Sequence, residues 1–400
     1  MDKPSILVFG LGFLQRSLIA QCKALGLFTV GIDVTPEAAC RDEVDAFEVA
    51  AGDDFEQTLA VAQKYHVSGV VTAATDKPLV MMAQVAQTLK LPFYSEETAR
   101  WSTDKLLMKQ RFMEHGIPCA KGMELTSVEE LDRLSCSYPV IVKPRDNSGS
   151  RGVVFCKNKE DAARSVSEAF AYTHKGTILV EEFIDGQEYS IESLHYHGKT
   201  HVIQFTQKIT TAFPYNVELG HIQPAALTDE QKEKIRAIIE RIAGALDFDN
   251  CASHTELKVQ GERVTVIETS PRLGGDFITS LLTPLSTGVN LEKLLVRMSI
   301  GDDIPERDFE PTMEKSAGVV FFELQEGKIG SIGDLERIKN IPGCRCFAFD
   351  KKAGDIIGRI TNSIDRYGYA VFQTENRKQT ELLMEKIKKE LAEQIQIEAV

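Results

Sequence analysis

Apolar side chains along the first part of the chain follow two rhythms in turn. Residues 5–10 form a continuous apolar run, the mark of a strand buried on both faces. Residues 13–25 then space their apolar positions three and four apart, as one face of a helix does, and residues 30–34 return to the strand pattern. The alternation continues with a helix at about 55–66, a strand at 69–73, a helix at about 77–89 and a strand at 91–94. Strands of this kind, separated by amphipathic helices, predict an α/β domain over residues 1–95 with a parallel sheet covered by helices.

Beyond residue 95 the pattern changes. A helix is expected over 103–115, with Ser102, Thr103 and Asp104 as capping candidates and Lys105 in its first turn. A lysine there opposes the helix dipole, which suits either a solvated side chain or one reaching a phosphate. A short helix near 128–134 precedes an apolar strand, 138–145, that carries Lys143. Further strands are expected at 177–182 and 189–197, and an amphipathic helix at 229–246. Residues 213–224 lack periodicity and read as a loop bearing Glu218 and His221. A helix at 290–299 and a charged connector at 302–314 lead to a smaller α+β unit with strands near 318–324, 344–349 and 369–373 and a helix at 375–396.

The stretch from Ser253 to Asp276 holds the densest chemistry. Residues 255–260 and 264–269 are β-prone and flank Gly261-Glu262-Arg263, a three-residue hairpin loop that would pair Gln260 with Val264. Counting back, Leu257 falls opposite Ile267 and Glu256 opposite Glu268, with His254, Ser270 and Arg272 on the glutamate face. Opposed carboxylates destabilise a sheet unless a cation, a proton or a basic side chain lies between them. A divalent metal with nucleotide phosphates would meet that need, and so would Lys258 or an arginine from elsewhere.

Two glycine-bearing segments are candidates for phosphate binding. Gly10-Leu11-Gly12, with Asp33 some twenty residues on, is part of a dinucleotide fingerprint, but Gln15 replaces its third glycine and an isolated G-x-G is weak evidence. The segment Asp146-Asn-Ser-Gly-Ser-Arg-Gly152 has the composition of a loop that closes over phosphates, through Ser148, Gly149, Ser150, Arg151 and Gly152. It is not a P-loop, since Lys143 precedes the glycines; a plain hairpin turn is the alternative. Glu181, Glu182 and Glu188 cluster after the next strand, where carboxylates serve ribose hydroxyls or form a solvated rim. His195, His197 and His201 read as ordinary strand residues around a Gly198-Lys199 turn.

Composition narrows the function class. With 400 residues, 43% hydrophobic and 26% charged, the chain is long enough for two or three domains of ordinary globular makeup. A net charge of −13 disfavours a nucleic-acid or anionic-membrane surface. The eight cysteines show no zinc spacing and read as reduced thiols, with Cys344 and Cys346 as core residues of one strand. Met1-Asp2-Lys3-Pro4 runs straight into the first strand, so no secretory leader and a cytoplasmic location are expected.

Taken in order, Lys105, Lys143, the glycine loop, the Glu181–Glu188 block and the Glu256/Glu268 hairpin resemble the ATP-grasp superfamily. The resemblance implies a Rossmann-like N-terminal domain (1–95), a split ATP-grasp domain (96–305, glycine-loop subdomain about 120–190) and a biotin-carboxylase-like C-terminal domain (306–400). It implies that Lys105, Lys143 and the loop of Ser148, Gly149, Ser150 and Gly152 hold ATP phosphates. Glu181, Glu182, Phe183 and Ile184 would line the adenine, and Glu188 the ribose. Glu256, Glu268 and Ser270 would bind Mg2+, with Mn2+ as the alternative ion; relatives often have asparagine where this chain has Ser270. Arg272 would steady an acyl phosphate.

Residues 213–224 and Pro271-Arg-Leu-Gly-Gly275 look most like the L-amino-acid ligases of the bacilysin dipeptide type. That finer likeness makes Glu218, His221, His254, Gly274 and Gly275 candidates for small-molecule substrates, an amino acid or other carboxylate and an amine. The same motifs also allow a purine-pathway or bicarbonate-activating enzyme, or a nucleotide-binding protein without catalysis. Relatives are often dimers, which leaves a homodimer open.

Overall fold

The structure is a computed structural model and describes residues 3–146 and 152–398. The N-terminal part contains β1 (Ser5–Phe9), α1 (Arg16–Ala24), β2 (Phe28–Asp33), β3 (Ala46–Val49), α2 (Phe55–Lys64), β4 (Val67–Val71) and α3 (Leu79–Leu89). Its strands form a parallel sheet in the order β3-β2-β1-β4, with Leu7 beside Val30 on one side and Val70 on the other. Ile6, Leu7 and Val8 are all fully buried, as a run without polar alternation requires.

The expected strand at 91–94 is not one. Helix α3 ends on Lys90 in the left-handed conformation (φ 55°), the Leu91 N–H closes back onto the Ala86 carbonyl, and Pro92 has no N–H for a ladder. The fourth strand is instead the short β3 at the sheet edge, whose Ala-Phe-Glu-Val gives little signal.

Helices α4 (Glu96–Thr103) and α5 (Lys105–Glu114) follow, separated by Asp104, whose carboxylate caps α5 by accepting from the Leu106 and Leu107 N–H groups. Next come β5 (Gly122–Leu125), β6 (Val140–Pro144), β7 (Val154–Cys156), α6 (Lys159–Ala169) and β8 (Ile178–Glu182). They make an antiparallel sheet, β5-β8-β6-β7, with Val140, Val142, Ile178 and Val180 packed against Val166 of α6.

The third part holds β9 (Gln187–Tyr196), β10 (Lys199–Thr210), β11 (Glu218–Gln223), α7 (Asp229–Leu246), β12 (Cys251–Gln260), β13 (Arg263–Ser270), α8 (Thr283–Thr287) and α9 (Leu291–Ser299). The chain ends with β14 (Ser316–Phe321), β15 (Gly327–Ile332), α10 (Glu336–Lys339), β16 (Cys344–Phe349), β17 (Ile356–Ile357), β18 (Gly368–Thr374), α11 (Arg377–Gln394) and β19 (Ile395–Glu398). One eight-stranded antiparallel sheet, ordered β13-β12-β9-β10-β11-β14-β18-β16, runs through both parts, and β17-β15-β19 form a small sheet beside it. The connector at 302–314 therefore joins strands of a single sheet, although separate apolar clusters lie on either side of it.

Residues 218–223, expected within a loop, are the strand β11 in the middle of this sheet, between β10 and β14. A central strand bearing Glu, Gly, His and Gln has no apolar alternation to announce it. Gly220 lies so close to β14 that a β-carbon would approach the Val319 carbonyl oxygen to 2.7 Å.

Candidate active site

A cleft of about 440 Å3 is lined by residues of the N-terminal part, of both large sheets and of the loop before β18. Two side-chain groups stand out in its lining. Phe155, Phe183 and Phe213 form an aromatic wall, with ring centroids 4.4 to 5.3 Å apart and the Lys258 ammonium 4.9 Å from the Phe183 ring centre. Leu14, Ala74, Gly275 and Ile278 also line the cleft, with Gly275 against Ala74 and Leu14.

The lysines predicted to meet phosphate stand on one wall. Arg145 grips Asp104 through two bonds of 2.7 Å and Glu124 through one of 2.6 Å, so the first turn of α5 is tied to the end of β6. That tie sets Lys105 and Lys143 on the same cleft. Lys143 meets Glu181 Oε2 at 2.9 Å, and Lys109 meets the same oxygen at 3.1 Å. Burial, with Lys109 and Lys105 nearby, holds Lys143 below its usual range despite Glu181. Lys105 is pulled down by burial too, but Glu268 at 2.9 Å, Asp76 and Glu256 outweigh it and keep its pKa raised. Glu181 lines the cleft, and its Oε1 is buried without a hydrogen-bond partner, free to accept from an amino group. Glu182, Phe183 and Ile184 line the cleft as well, and Glu182 accepts from the Lys121 N–H at 2.9 Å.

The hairpin departs from the expected register and still delivers its two carboxylates. Gln260 pairs with Arg263 across a two-residue turn, and Leu257 with Val266 where Ile267 was expected. A β-bulge at Ile267 then restores one residue, so that Glu256 faces Glu268 and His254 faces Ser270. Because of the bulge, the consecutive residues Ile267 and Glu268 both reach the cleft. A second bulge, at Leu219 of β11, lies next to Glu218 in the same cleft.

Each glutamate has basic neighbours, but Lys258, the expected neutraliser, is not among them. Lys208, which the sequence reading missed, is buried between Glu188 (2.8 Å), Glu218 (3.2 Å) and Glu256 (2.8 Å). Burial lowers its pKa, yet the three carboxylates raise it well above the ordinary value. His254 joins Glu192 at 2.7 Å and Glu256 at 3.3 Å; burial opposes its charge, but the two acids raise its pKa to about 9. Lys208 and His254 both meet Glu256 at Oε1, and Lys105 meets Glu268 at Oε2. Among the described residues no group of three or more metal-type side chains forms a closed cage. Two hard carboxylates facing one cleft fit an ion that completes its shell with phosphate oxygens and water. Ser270 is turned elsewhere: its hydroxyl donates to Asp76 at 2.6 Å.

Asp76, from the loop after β4, also holds Arg272 through bonds of 2.8 and 3.0 Å. Burial pushes the Asp76 carboxyl up, but Arg272 and Ser270 bring it down to about 2. A matching pair lines the same cleft, where Arg366 donates to both oxygens of Asp276 at 2.6 and 2.7 Å and lies 3.7 Å from the Phe321 ring centre. His221 approaches the same carboxylate at 3.4 Å, and its buried Nδ1 has no partner. Glu218 accepts from Ser363 at 3.2 Å. Asp276 and Phe277 both carry left-handed backbone (φ 51° and 64°), a strain that a tightly specified turn sustains. Asp76, Lys208 and Arg366 carried no sequence signal, since each lies in a segment remote from the motifs it completes.

Ser148, Gly149 and Ser150 lie outside the described residues; Gly152 is left-handed (φ 74°). The partial dinucleotide fingerprint has another explanation. Asp33 accepts the Leu11 and Thr35 N–H groups at 2.6 and 2.8 Å, and Gln15 bonds Ala73, so acid and glutamine fasten the turn to its own sheet. His195 is buried between Thr200 and Ser253, its pKa lowered to about 3 by burial, as befits a strand residue. All eight cysteines are free.

Comparison with known proteins agrees with this geometry. A model of the ATP-grasp domain matches residues 136–280, and a model of L-amino acid ligase C-terminal domain 2 matches residues 320–398. The alanine–anticapsin ligase of Bacillus subtilis is 26% identical over 245 residues, which span 55% of this chain and 51% of that relative. A formate-dependent phosphoribosylglycinamide formyltransferase of Prochlorococcus marinus is 25% identical over 86% of this chain and 88% of its own length. Among solved structures, the L-amino acid ligase of Bacillus licheniformis superposes with a TM-score of 0.83 at 21% identity, covering the whole of both chains.

Proposed function

For an ATP-grasp enzyme with an L-amino acid ligase C-terminal domain, we propose a reaction that couples the carboxylate of an amino acid to an amine. ATP is the energy source, and the products are an amide or dipeptide, ADP and phosphate. The observation that carries this reading is the convergence on one cleft of Lys105, Lys143, the facing pair Glu256 and Glu268, and Arg272. No nucleophilic side chain is needed, because positioning and charge neutralisation suffice for both steps.

A carboxylate oxygen of the substrate attacks the γ-phosphorus, and the bond to the ADP oxygen breaks. The amine nitrogen then attacks the acyl carbon, the carbon–oxygen bond to phosphate breaks, and the nitrogen loses its extra proton to water. In this scheme Lys105 and Lys143 gather the phosphate oxygens, and the aromatic wall with Glu181 receives the base. Glu188 would take the ribose. Arg272, aimed by Asp76, supplies donors where negative charge builds on the acyl centre. His254 is held in its charged form by Glu192 and Glu256, so it serves as a fixed cation and hydrogen-bond donor, not as a base. Magnesium, or manganese in its place, would be held by Glu256 and Glu268 and would lessen the charge of the phosphates.

Incubation with ATP, Mg2+ and amino-acid pairs, followed by measurement of ADP, tests the reading. ADP release should require an amino acid and should fall by at least about a hundredfold in Glu268→Ala. Full turnover by that variant would sink the site assignment. A second reading keeps the chemistry and changes the acid to formate or bicarbonate with a purine-pathway amine, and the formyltransferase likeness over most of both chains favours it. Formate- or bicarbonate-dependent turnover without an amino acid would select it.

A further inference from the structure

A second group in the cleft's lining is apolar although it is open. Leu14, before α1, and Ile364, before β18, are 39% and 79% exposed, and both line the cleft together with Ala74, Gly275 and Ile278. These residues come from four distant stretches of the chain. Gly275 forms the floor: a β-carbon there would lie 3.4 Å from the Ala74 Cβ and 3.9 Å from the Leu14 Cδ1, which is ordinary contact. Gly274 differs, because a β-carbon would come within 2.7 Å of both Glu192 Oε2 and His254 Nδ1. One glycine is demanded by packing, while the other leaves a space that packing alone does not demand. Exposed apolar side chains gathered in a concavity mark a binding surface.

The surrounding charges are already matched. Arg272 is engaged twice by Asp76, and Arg366 twice by Asp276. A charged side chain entering here would leave water without an uncommitted partner of opposite sign. An apolar one would displace water from Leu14, Ala74 and Ile278 and gain by it. The floor lies three residues beyond Arg272, so the pocket belongs to the substrate whose carboxylate is phosphorylated.

We infer that this apolar group forms the side-chain pocket of the acyl donor, and that the donor is an α-amino acid with a large apolar side chain. The inference rests on the ligase reading. Hydroxylamine, offered as the amine with ATP, Mg2+ and one amino acid at a time, separates the two, because hydroxamate then reports only which carboxylate is phosphorylated. For leucine, methionine or phenylalanine, kcat/KM should exceed that for alanine, serine, aspartate or lysine by about tenfold or more. Gly275→Ala should cut the leucine-to-alanine ratio about tenfold, since its methyl occupies the floor without a clash. Leu14→Ala, a change at an exposed position, should raise the phenylalanine-to-leucine ratio. A preference for small or charged donors, or ratios unmoved in both folded variants, overturns the pocket and leaves the ligase standing. Absence of hydroxamate with every amino acid overturns the ligase reading and the pocket with it.

Discussion

Replacing Lys208 with methionine removes one charge from the middle of the site and keeps most of the side-chain volume. The Lys208 side chain is 2% exposed, and those of Glu188, Glu218 and Glu256 are 13%, 16% and 21% exposed. At contacts of 2.8, 3.2 and 2.8 Å and an effective dielectric of about 20, each attraction is roughly 5–6 kcal/mol before desolvation. Desolvation of the ions and repulsion among the glutamates offset most of that sum. What an experiment reads is the cost of leaving buried carboxylates without their cation, about 3–5 kcal/mol. For a cooperative unit of 150–250 residues this corresponds to a fall in Tm of roughly 6–20 °C.

The deficit has a pH signature. Burial raises the Glu256 carboxyl, but Lys208 and His254 hold it well below the usual value, so its stabilising share is present above about 4.5 and is lost as pH falls through the folded-state value. Lys208→Met should therefore differ most from the parent at pH 7.5 and converge with it in acid. Differential scanning calorimetry from pH 2.5 to 8 reads both effects. A variant melting within about 2 °C of the parent at pH 7.5, or one with a constant deficit down to pH 2.5, would refute the account of Lys208.

Asp76→Asn keeps the shape but loses the charge that aims Arg272, so kcat should fall about tenfold or more while KM for ATP stays near the parent value; an unchanged kcat counts against Asp76 as a positioning residue. Arg145→Ala unties α5 from β6, and steady-state kinetics should show a raised KM for ATP because Lys105 and Lys143 lose their common support. Glu292 of α9 is buried and hydrogen-bonded by Ser17 at 2.5 Å; burial raises its pKa to about 7 against that bond. A raised acid stabilises below its unfolded value and loses that contribution as pH climbs through the folded one. Glu292→Gln should thus raise stability at pH 8 by on the order of 3 kcal/mol, from about 2.5 pH units at 1.36 each, and by little at pH 4. Equal melting of parent and variant at pH 8 contradicts that assignment.

The parts legible in the sequence were those with strong local periodicity or strong local chemistry. The apolar runs of β1 and β4, the helix Asp229–Leu246 and the hairpin acids were all readable, and Glu256 does face Glu268. The register between them was not, because the two-residue turn and the bulge at Ile267 offset one another and neither leaves a mark in an alternating pattern. Strand β11 escaped notice for a related reason: its polar residues face a cleft, so a central strand reads as a loop. Lys208 sits in Gln-Lys-Ile-Thr, and only tertiary structure shows that three acids surround it. Asp76 and Arg366 illustrate the same point, since their partners are 196 and 90 residues away.

The account's central claim is that a substrate carboxylate becomes an acyl phosphate in this cleft. An amino acid labelled with 18O in both carboxylate oxygens, turned over with ATP, Mg2+ and an amine, tests it most directly. The account predicts one 18O atom in each phosphate released, and release at least about a hundredfold slower from Glu268→Ala. Phosphate formed at the normal rate without label would contradict it.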